Sequence, residues 1–62
     1  MKKYCLYCYN NRNKLVYKIK LCMREETFEK QIKEGYIKFF DTNYGETICY
    51  LNMYNKIIIE TY

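Results

Sequence analysis

An α+β fold in one domain, with strands and a helix in the order ββαβββ, is what the 62-residue sequence predicts. Three observations predict it. Residues 14–23 alternate apolar and polar side chains, as a half-buried strand does. Residues 24–35 lose that alternation and carry good helix formers that end on Gly35. The rest of the chain returns to short extended stretches separated by turns. We expect residues 1–62 to form one curved, mostly antiparallel sheet or a partly open barrel, with one short helix (about 25–34) packed on it.

The first two strands are predicted to form a hairpin. Residues 3–9 are rich in aromatic side chains, which favour strands. Asn10 to Asn13 then supply turn chemistry, because asparagine tolerates left-handed backbone angles and bonds its own backbone. In the second strand, Lys18 and Lys20 share the side that must stay in water, so this sheet is covered on one side only. The opposite side of that strand carries the apolar residues Leu15, Tyr17, Ile19, Leu21 and Met23.

The predicted helix has a thin apolar stripe. Phe28 and Ile32 are four residues apart and therefore lie on one helix face. About two turns with two apolar anchors do not persist alone, so both side chains are expected to pack onto the sheet. Two helix starts fit the sequence. In one, Thr27 caps the helix; in the other, the helix begins earlier and places Glu25 and Glu26 at the positive end of its dipole.

The last three strands are predicted as a meander. Residues 36–41, 46–51 and 56–61 are extended patterns, and turns fall at 42–45 and 52–55. Alternation along all the strands then assigns these side chains to the core: Tyr17, Ile19, Ile37, Phe39, Ile48, Ile57 and Ile59.

Catalytic motifs are missing from the sequence, and the chain is predicted not to be an enzyme. It contains no histidine and no serine, so neither a Ser/His nor a Cys/His pair can be built. Its two glycines form no phosphate-binding loop and no dinucleotide fingerprint. No cofactor is predicted.

The four cysteines are predicted to be structural thiols rather than metal ligands. Cys5 and Cys8 have the spacing of a zinc knuckle, but in a strand their sulfurs point to opposite faces. Cys22 and Cys49 are single and distant in sequence. Zinc is therefore the weaker alternative, and no metal site is assigned.

Composition bears on location and origin. The longest apolar run near the end of the chain, residues 57–59, is far below the roughly 20 residues of a membrane-spanning helix, and no signal-peptide core follows the basic start. A cytoplasmic protein without membrane contact is expected. Lys, Asn, Ile, Tyr and Phe fill 34 of the 62 positions, which indicates an AT-rich genome and favours a phage or another mobile element as the source.

A surface rich in tyrosine and lysine is the main functional feature. Nine tyrosines exceed what a small core can bury, and the net charge is +4. The wet side of the sheet is predicted to display these partner-binding residues: Tyr7, Tyr9, Lys18, Lys20, Tyr36, Lys38 and Phe40.

Two functions fit this surface. As a protein-binding face, its aromatic rings anchor a larger host protein and its lysines steer an acidic partner surface, which is typical of a small inhibitor, adaptor, anti-defence or host-takeover factor. As a nucleic-acid platform, bases stack on the rings and lysines neutralise phosphates. Protein binding is favoured, because the charge is modest and no RNA- or DNA-binding motif is present. A homodimer is compatible with either function.

Overall fold

The computed structural model describes residues 1–62 and confirms the predicted fold class and element order. The strands and helices are β1 (Lys2–Tyr9), β2 (Leu15–Met23), α1 (Glu25–Glu34), β3 (Tyr36–Asp41), β4 (Gly45–Tyr50), a single 3₁₀ turn (Leu51–Met53) and β5 (Lys56–Thr61). Hydrogen bonding divides the five strands into two antiparallel sheets, one ordered β2-β1-β5 and one formed by β3 and β4. The sheets do not close into a barrel. No helix is long and apolar enough to cross a membrane.

The predicted turns and helix ends are where the sequence placed them. The side-chain oxygen of Asn10 accepts hydrogen bonds from the backbone N–H groups of Arg12 and Lys14, and Asn13 has a φ of 61°. The helix begins at Glu25, so the earlier of the two predicted starts is correct. It ends at Gly35, whose φ of 92° lies in the left-handed region that glycine adopts without strain.

One hydrophobic core lies between the three-stranded sheet, the helix and the two-stranded sheet. The core residues are Tyr4, Leu6, Cys8, Ile19, Leu21, Phe28, Ile37 and Cys49. The predicted packing of Phe28 and Ile32 onto the sheet is confirmed, since Phe28 is buried and Ile32 packs against the same cluster. Phe28 stacks on the Tyr4 ring, with 3.8 Å between the ring centroids and 3° between the ring planes.

The predicted meander is wrong for the last strand. β5 pairs with β1, not with β4, so the N-terminal strand lies at the centre of the larger sheet. The 3₁₀ turn after β4 carries the chain away from the smaller sheet, and its first N–H, from Leu51, bonds the carbonyl of Gly35.

Two of the predicted core residues need correction. Ile48 faces outward and is 44% exposed, because Ile37 pairs with Cys49 on the inner face of the smaller sheet. Ile59 lies on the inner face, opposite Leu6, but it is 42% exposed because it stands on the edge strand. The other five assignments hold: Ile19 and Ile37 are buried, and Tyr17, Phe39 and Ile57 pack against the core.

Candidate functional site

The seven predicted binding residues lie on the outer faces of two different sheets. Tyr7, Tyr9, Lys18 and Lys20 lie on the outer face of the three-stranded sheet, which we call the basic face. Tyr36, Lys38 and Phe40 lie on the outer face of the two-stranded sheet. The sequence predicted a single surface because it placed all strands in one sheet.

On the basic face, lysines sit over the tyrosine rings. The strand register places Tyr7 opposite Lys18 and Tyr9 opposite Lys56. The ammonium nitrogen of Lys18 lies 5.4 Å from the centroid of the Tyr7 ring, and that of Lys56 lies 4.7 Å from the Tyr9 ring. Both distances are within the range of cation–π attraction. Sequence reasoning missed Lys56, because its contact depends on β5 pairing with β1.

The Tyr7 hydroxyl lies in a polar environment on this face. The neighbouring Cys5 thiol, and then the Glu60 carboxylate, raise the pKa of the Tyr7 phenol above its usual value. The ring therefore stays neutral at physiological pH, and its hydroxyl remains a hydrogen-bond donor.

The outer face of the two-stranded sheet, which we call the apolar face, is formed by four large side chains: Tyr36, Phe40, Ile48 and Tyr50. Phe40 is 76% exposed and Tyr50 is 53% exposed. The charges on this face cancel, because Lys38 Nζ lies 2.6 Å from Glu46 Oε1. The sequence analysis did not place Ile48 and Tyr50 on this face. It assigned Ile48 to the core, and that assignment exchanged the inner and outer faces of β4.

The Asp41–Gly45 turn determines which residues of β4 face outward. Asp41 Oδ1 accepts hydrogen bonds from the N–H groups of Asn43 and Tyr44, at 2.7 and 3.2 Å. Gly45 has a φ of 78°, which glycine adopts freely. This turn pairs Asp41 with Gly45 and so places Phe40 opposite Glu46 on the outer face.

A groove of about 510 Å³ separates β2 from β3 and joins the two faces. Three of the seven predicted residues line it, namely Lys20, Lys38 and Phe40. Gln31 of the helix also lines it, and its side-chain oxygen accepts a hydrogen bond of 3.0 Å from the N–H of Lys38. The structure thus brings together Lys20 of the larger sheet with Lys38 and Phe40 of the smaller sheet at this groove.

Three of the four cysteines are buried, and the predicted placement of Cys5 and Cys8 on opposite faces of β1 is confirmed. Cys8 belongs to the core, where it is fully buried and faces Cys49 of the other sheet. Burial, and next the neighbouring Cys49, raise the pKa of the Cys8 thiol to about 11. No group of three or more cysteine or acidic side chains is placed to hold a metal ion.

Thiol modification in the native state is expected to reach one cysteine per chain at pH 7–8. Cys22 is exposed, whereas Cys5, Cys8 and Cys49 are buried, and the raised pKa of Cys8 keeps it protonated until the pH approaches about 11. A colorimetric thiol titration with and without denaturant measures this, and four thiols per chain should react once the protein is unfolded. Rapid native reaction of two or more thiols contradicts the burial described above, and a Cys22→Ser variant identifies the reactive residue.

Comparison of the chain with protein-family models, with curated proteins and with solved structures finds no match.

Proposed function

We propose that this chain is a small, non-enzymatic protein-binding module that acts as an inhibitor or adaptor by covering a site on a larger protein with its apolar face. The observation that carries the proposal is the set of large exposed side chains on the apolar face, of which Phe40 is the most exposed. Contiguous exposed apolar side chains with a polar rim are typical of protein interaction sites, and aromatic residues dominate the binding energy of such sites. Here an exposed phenylalanine, an isoleucine and two tyrosines share one face of a two-stranded sheet.

The charge arrangement of the apolar face supports a protein partner. Its one lysine, Lys38, is already paired with Glu46, so burying this face against a partner leaves no unpaired charge there. Lys20 lies beside it along the groove and supplies a positive rim. Such rim charges speed the approach of an acidic partner more than they strengthen the complex.

The cellular setting is part of the proposal. The AT-rich composition favours a phage or mobile-element gene, and a short chain that blocks a host protein in the cytoplasm suits an anti-defence or host-takeover factor. Tagged protein expressed in the source cell should recover one host protein in near-stoichiometric amount, and a Phe40→Ala variant should lose it.

Phe40→Ala is expected to weaken binding to that partner by roughly 2 kcal/mol or more, about thirtyfold, because the ring is the largest exposed apolar group on the face. Tyr44→Ala is the matched control, since Tyr44 is 84% exposed but lies in the turn outside the apolar face. Lys20→Ala, which removes the positive rim charge, should change mainly the association rate. Titration calorimetry or surface plasmon resonance measures the affinities, and equal losses for Phe40→Ala and Tyr44→Ala contradict the proposed site.

Nucleic-acid binding is the second candidate, and the basic face favours it. Lys18, Lys20 and Lys56 lie there beside Tyr7 and Tyr9, which is the combination that neutralises phosphates and stacks bases. Against it, lysine ammonium groups already lie over both tyrosine rings and must move before a base can stack from that side.

Mixed-sequence single-stranded oligonucleotides separate the two functions. If the nucleic-acid function is correct, they bind with micromolar affinity at about 0.15 M salt, and the affinity falls steeply as salt rises. Joint substitution of Lys18, Lys20 and Lys56, the three lysines of the basic face, then abolishes binding. If protein binding is correct, these oligonucleotides bind weakly at that salt concentration, while Phe40→Ala still reduces affinity for the host protein.

A further inference from the structure

The outer edge of β5 is an unpaired strand edge with apolar side chains. β5 bonds only to β1, and the hydrogen bond from Tyr62 N–H to the Lys3 carbonyl shows which backbone groups face inward. Because backbone groups alternate along an antiparallel strand, Ile58 and Glu60 point theirs toward β1. The N–H and C=O groups of Ile57, Ile59 and Thr61 therefore point away from the sheet, and none of them bonds to any other residue.

The β2 and β3 edges carry features that discourage pairing, whereas the β4 edge, like that of β5, is unpaired. On β3, Gln31 occupies the outward N–H of Lys38. On β2, the residues whose backbone groups point outward include Lys18 and Lys20, and lysines discourage edge-to-edge contact. The centre of β5 has neither a side chain bonded to an outward N–H nor a lysine. Its residues there include Ile58 and Ile59, which are 41% and 42% exposed.

We propose that a second copy of this chain pairs with β5 through its own β5, antiparallel, about a two-fold axis that passes between the two Ile58 residues. In this register Ile57 lies opposite the partner's Ile59, and Lys56 lies opposite the partner's Glu60. Ile57 and Ile59 are the residues with outward backbone groups, so each forms a doubly hydrogen-bonded pair with its opposite number. The Lys56–Glu60 pairs occur twice by symmetry, on the outer face of the sheet.

The backbone and the charges select this register over its neighbours. If the register shifts by one residue, residues whose N–H and C=O groups point toward the partner lie opposite residues whose groups point away from it. The hydrogen bonds between the two β5 strands then cannot form. A shift of two places Ile58 opposite either Lys56 or Glu60, so an apolar side chain meets a charge and the ion pairs are lost. Only the register centred on Ile58 matches apolar residues with apolar residues and lysine with glutamate.

The result is a six-stranded sheet with the order β2-β1-β5-β5-β1-β2. The basic faces of the two copies lie side by side on the same surface of that sheet, and the apolar faces stay free. The dimer therefore does not depend on the proposed function, and each can fail without the other.

Sedimentation equilibrium of the intact chain measures the dimer directly. Lys56→Glu and Glu60→Lys each place like charges opposite one another at two symmetric positions, so each should raise the dimer dissociation constant at least about tenfold. The double variant Lys56→Glu/Glu60→Lys restores opposite charges and should restore the dimer. Ile48→Lys is the control for a change of charge away from β5. Ile48 is about as exposed as Ile58 and Ile59 but lies on the apolar face. Circular dichroism verifies that each variant is folded.

A cross-link tests the register itself. In a Cys22→Ser background, Ile58→Cys places two thiols in a non-hydrogen-bonded pair, whose Cα separation suits a disulfide. Oxidation with diamide should give a covalent dimer. Thr61→Cys is the matched control, since the two copies of this position would lie roughly 20 Å apart and should not link.

Four outcomes overturn the proposal. They are a monomer at all concentrations up to the solubility limit, a dimer that persists unchanged in both single charge variants, a dimer that Ile48→Lys abolishes, and an open-ended series of oligomers. The last outcome indicates head-to-tail pairing of β5 with the β2 edge of the next copy, which does not close.

Discussion

Replacement of Ile19 by alanine is expected to lower the free energy of unfolding by about 2–5 kcal/mol, the usual cost of truncating a fully buried isoleucine. Ile19 is 2% exposed and lies opposite Leu6, itself fully buried on the central strand. Ile19 belongs to a core cluster that contains residues of both sheets, and close-packed surroundings relax only partly into a cavity.

The neighbouring residue provides the control for Ile19. Lys20 is exposed on the outer side of the same strand, so Lys20→Ala should lie within about 0.5 kcal/mol of the parent. Urea or thermal unfolding followed by circular dichroism measures both variants. Similar midpoints for the two substitutions mean that the inner and outer faces of β2 have been exchanged.

Phe28→Ala should be similarly damaging, with an expected loss of about 3–5 kcal/mol. Phe28 is the one buried residue of the helix and stacks on Tyr4 at 3.8 Å. A stacked aromatic pair adds roughly 0.5–1.5 kcal/mol beyond the area that it buries. Since a ten-residue helix does not persist in water without packing, the substitution should also detach the helix from the sheet.

Phe40→Ala is the matched control for Phe28→Ala, because the same chemical change is made at a side chain that is 76% exposed. It should leave the free energy of unfolding within roughly 0.5 kcal/mol of the parent. Native-state hydrogen exchange would show whether Phe28→Ala releases the amides of residues 25–34 before those of β1. If Phe28→Ala unfolds at the same denaturant concentration as Phe40→Ala, the helix is not anchored as described.

Local patterns were sufficient to predict most of the fold. The alternation gave the correct faces of β2 from Tyr17 to Met23, with Ile19 and Leu21 buried and Lys18 and Lys20 exposed. It was wrong for Leu15, because a register shift between Cys8 and Tyr9 pairs Leu15 with Tyr9 and leaves it 49% exposed. Gly35 marked the end of the helix because a left-handed residue was needed there. These features depend on neighbours in sequence, so the residues themselves carry the information.

The errors arose where distant parts of the chain meet. Nothing local distinguishes a β5 that pairs with β4 from one that pairs with β1, because both edges offer the same backbone groups. The reversal of β4 has a different cause. Isoleucine is more hydrophobic than cysteine, which favoured Ile48 for the core, but the Asp41–Gly45 turn sets the register and buries Cys49 instead.

The exposure of the candidate binding residues was predicted correctly for each residue, but their arrangement on the surface was not. All seven residues proposed for binding are exposed or half-buried on outer faces. Their division between two sheets, and the participation of Ile48, Tyr50 and Lys56, follow from strand pairing and could not be read from alternation alone.

The position of β1 between β2 and β5 also determines the order in which the molecule can assemble. The β1–β2 hairpin closes over a five-residue turn, whereas β5 must return across most of the chain to reach β1. Contacts that close short loops form faster than contacts that close long ones. On the ribosome, β1 is made long before β5, so the nascent hairpin carries an unsatisfied edge until the last strand emerges. The rate-limiting event of folding is therefore expected to be the arrival of β5 rather than the formation of the helix.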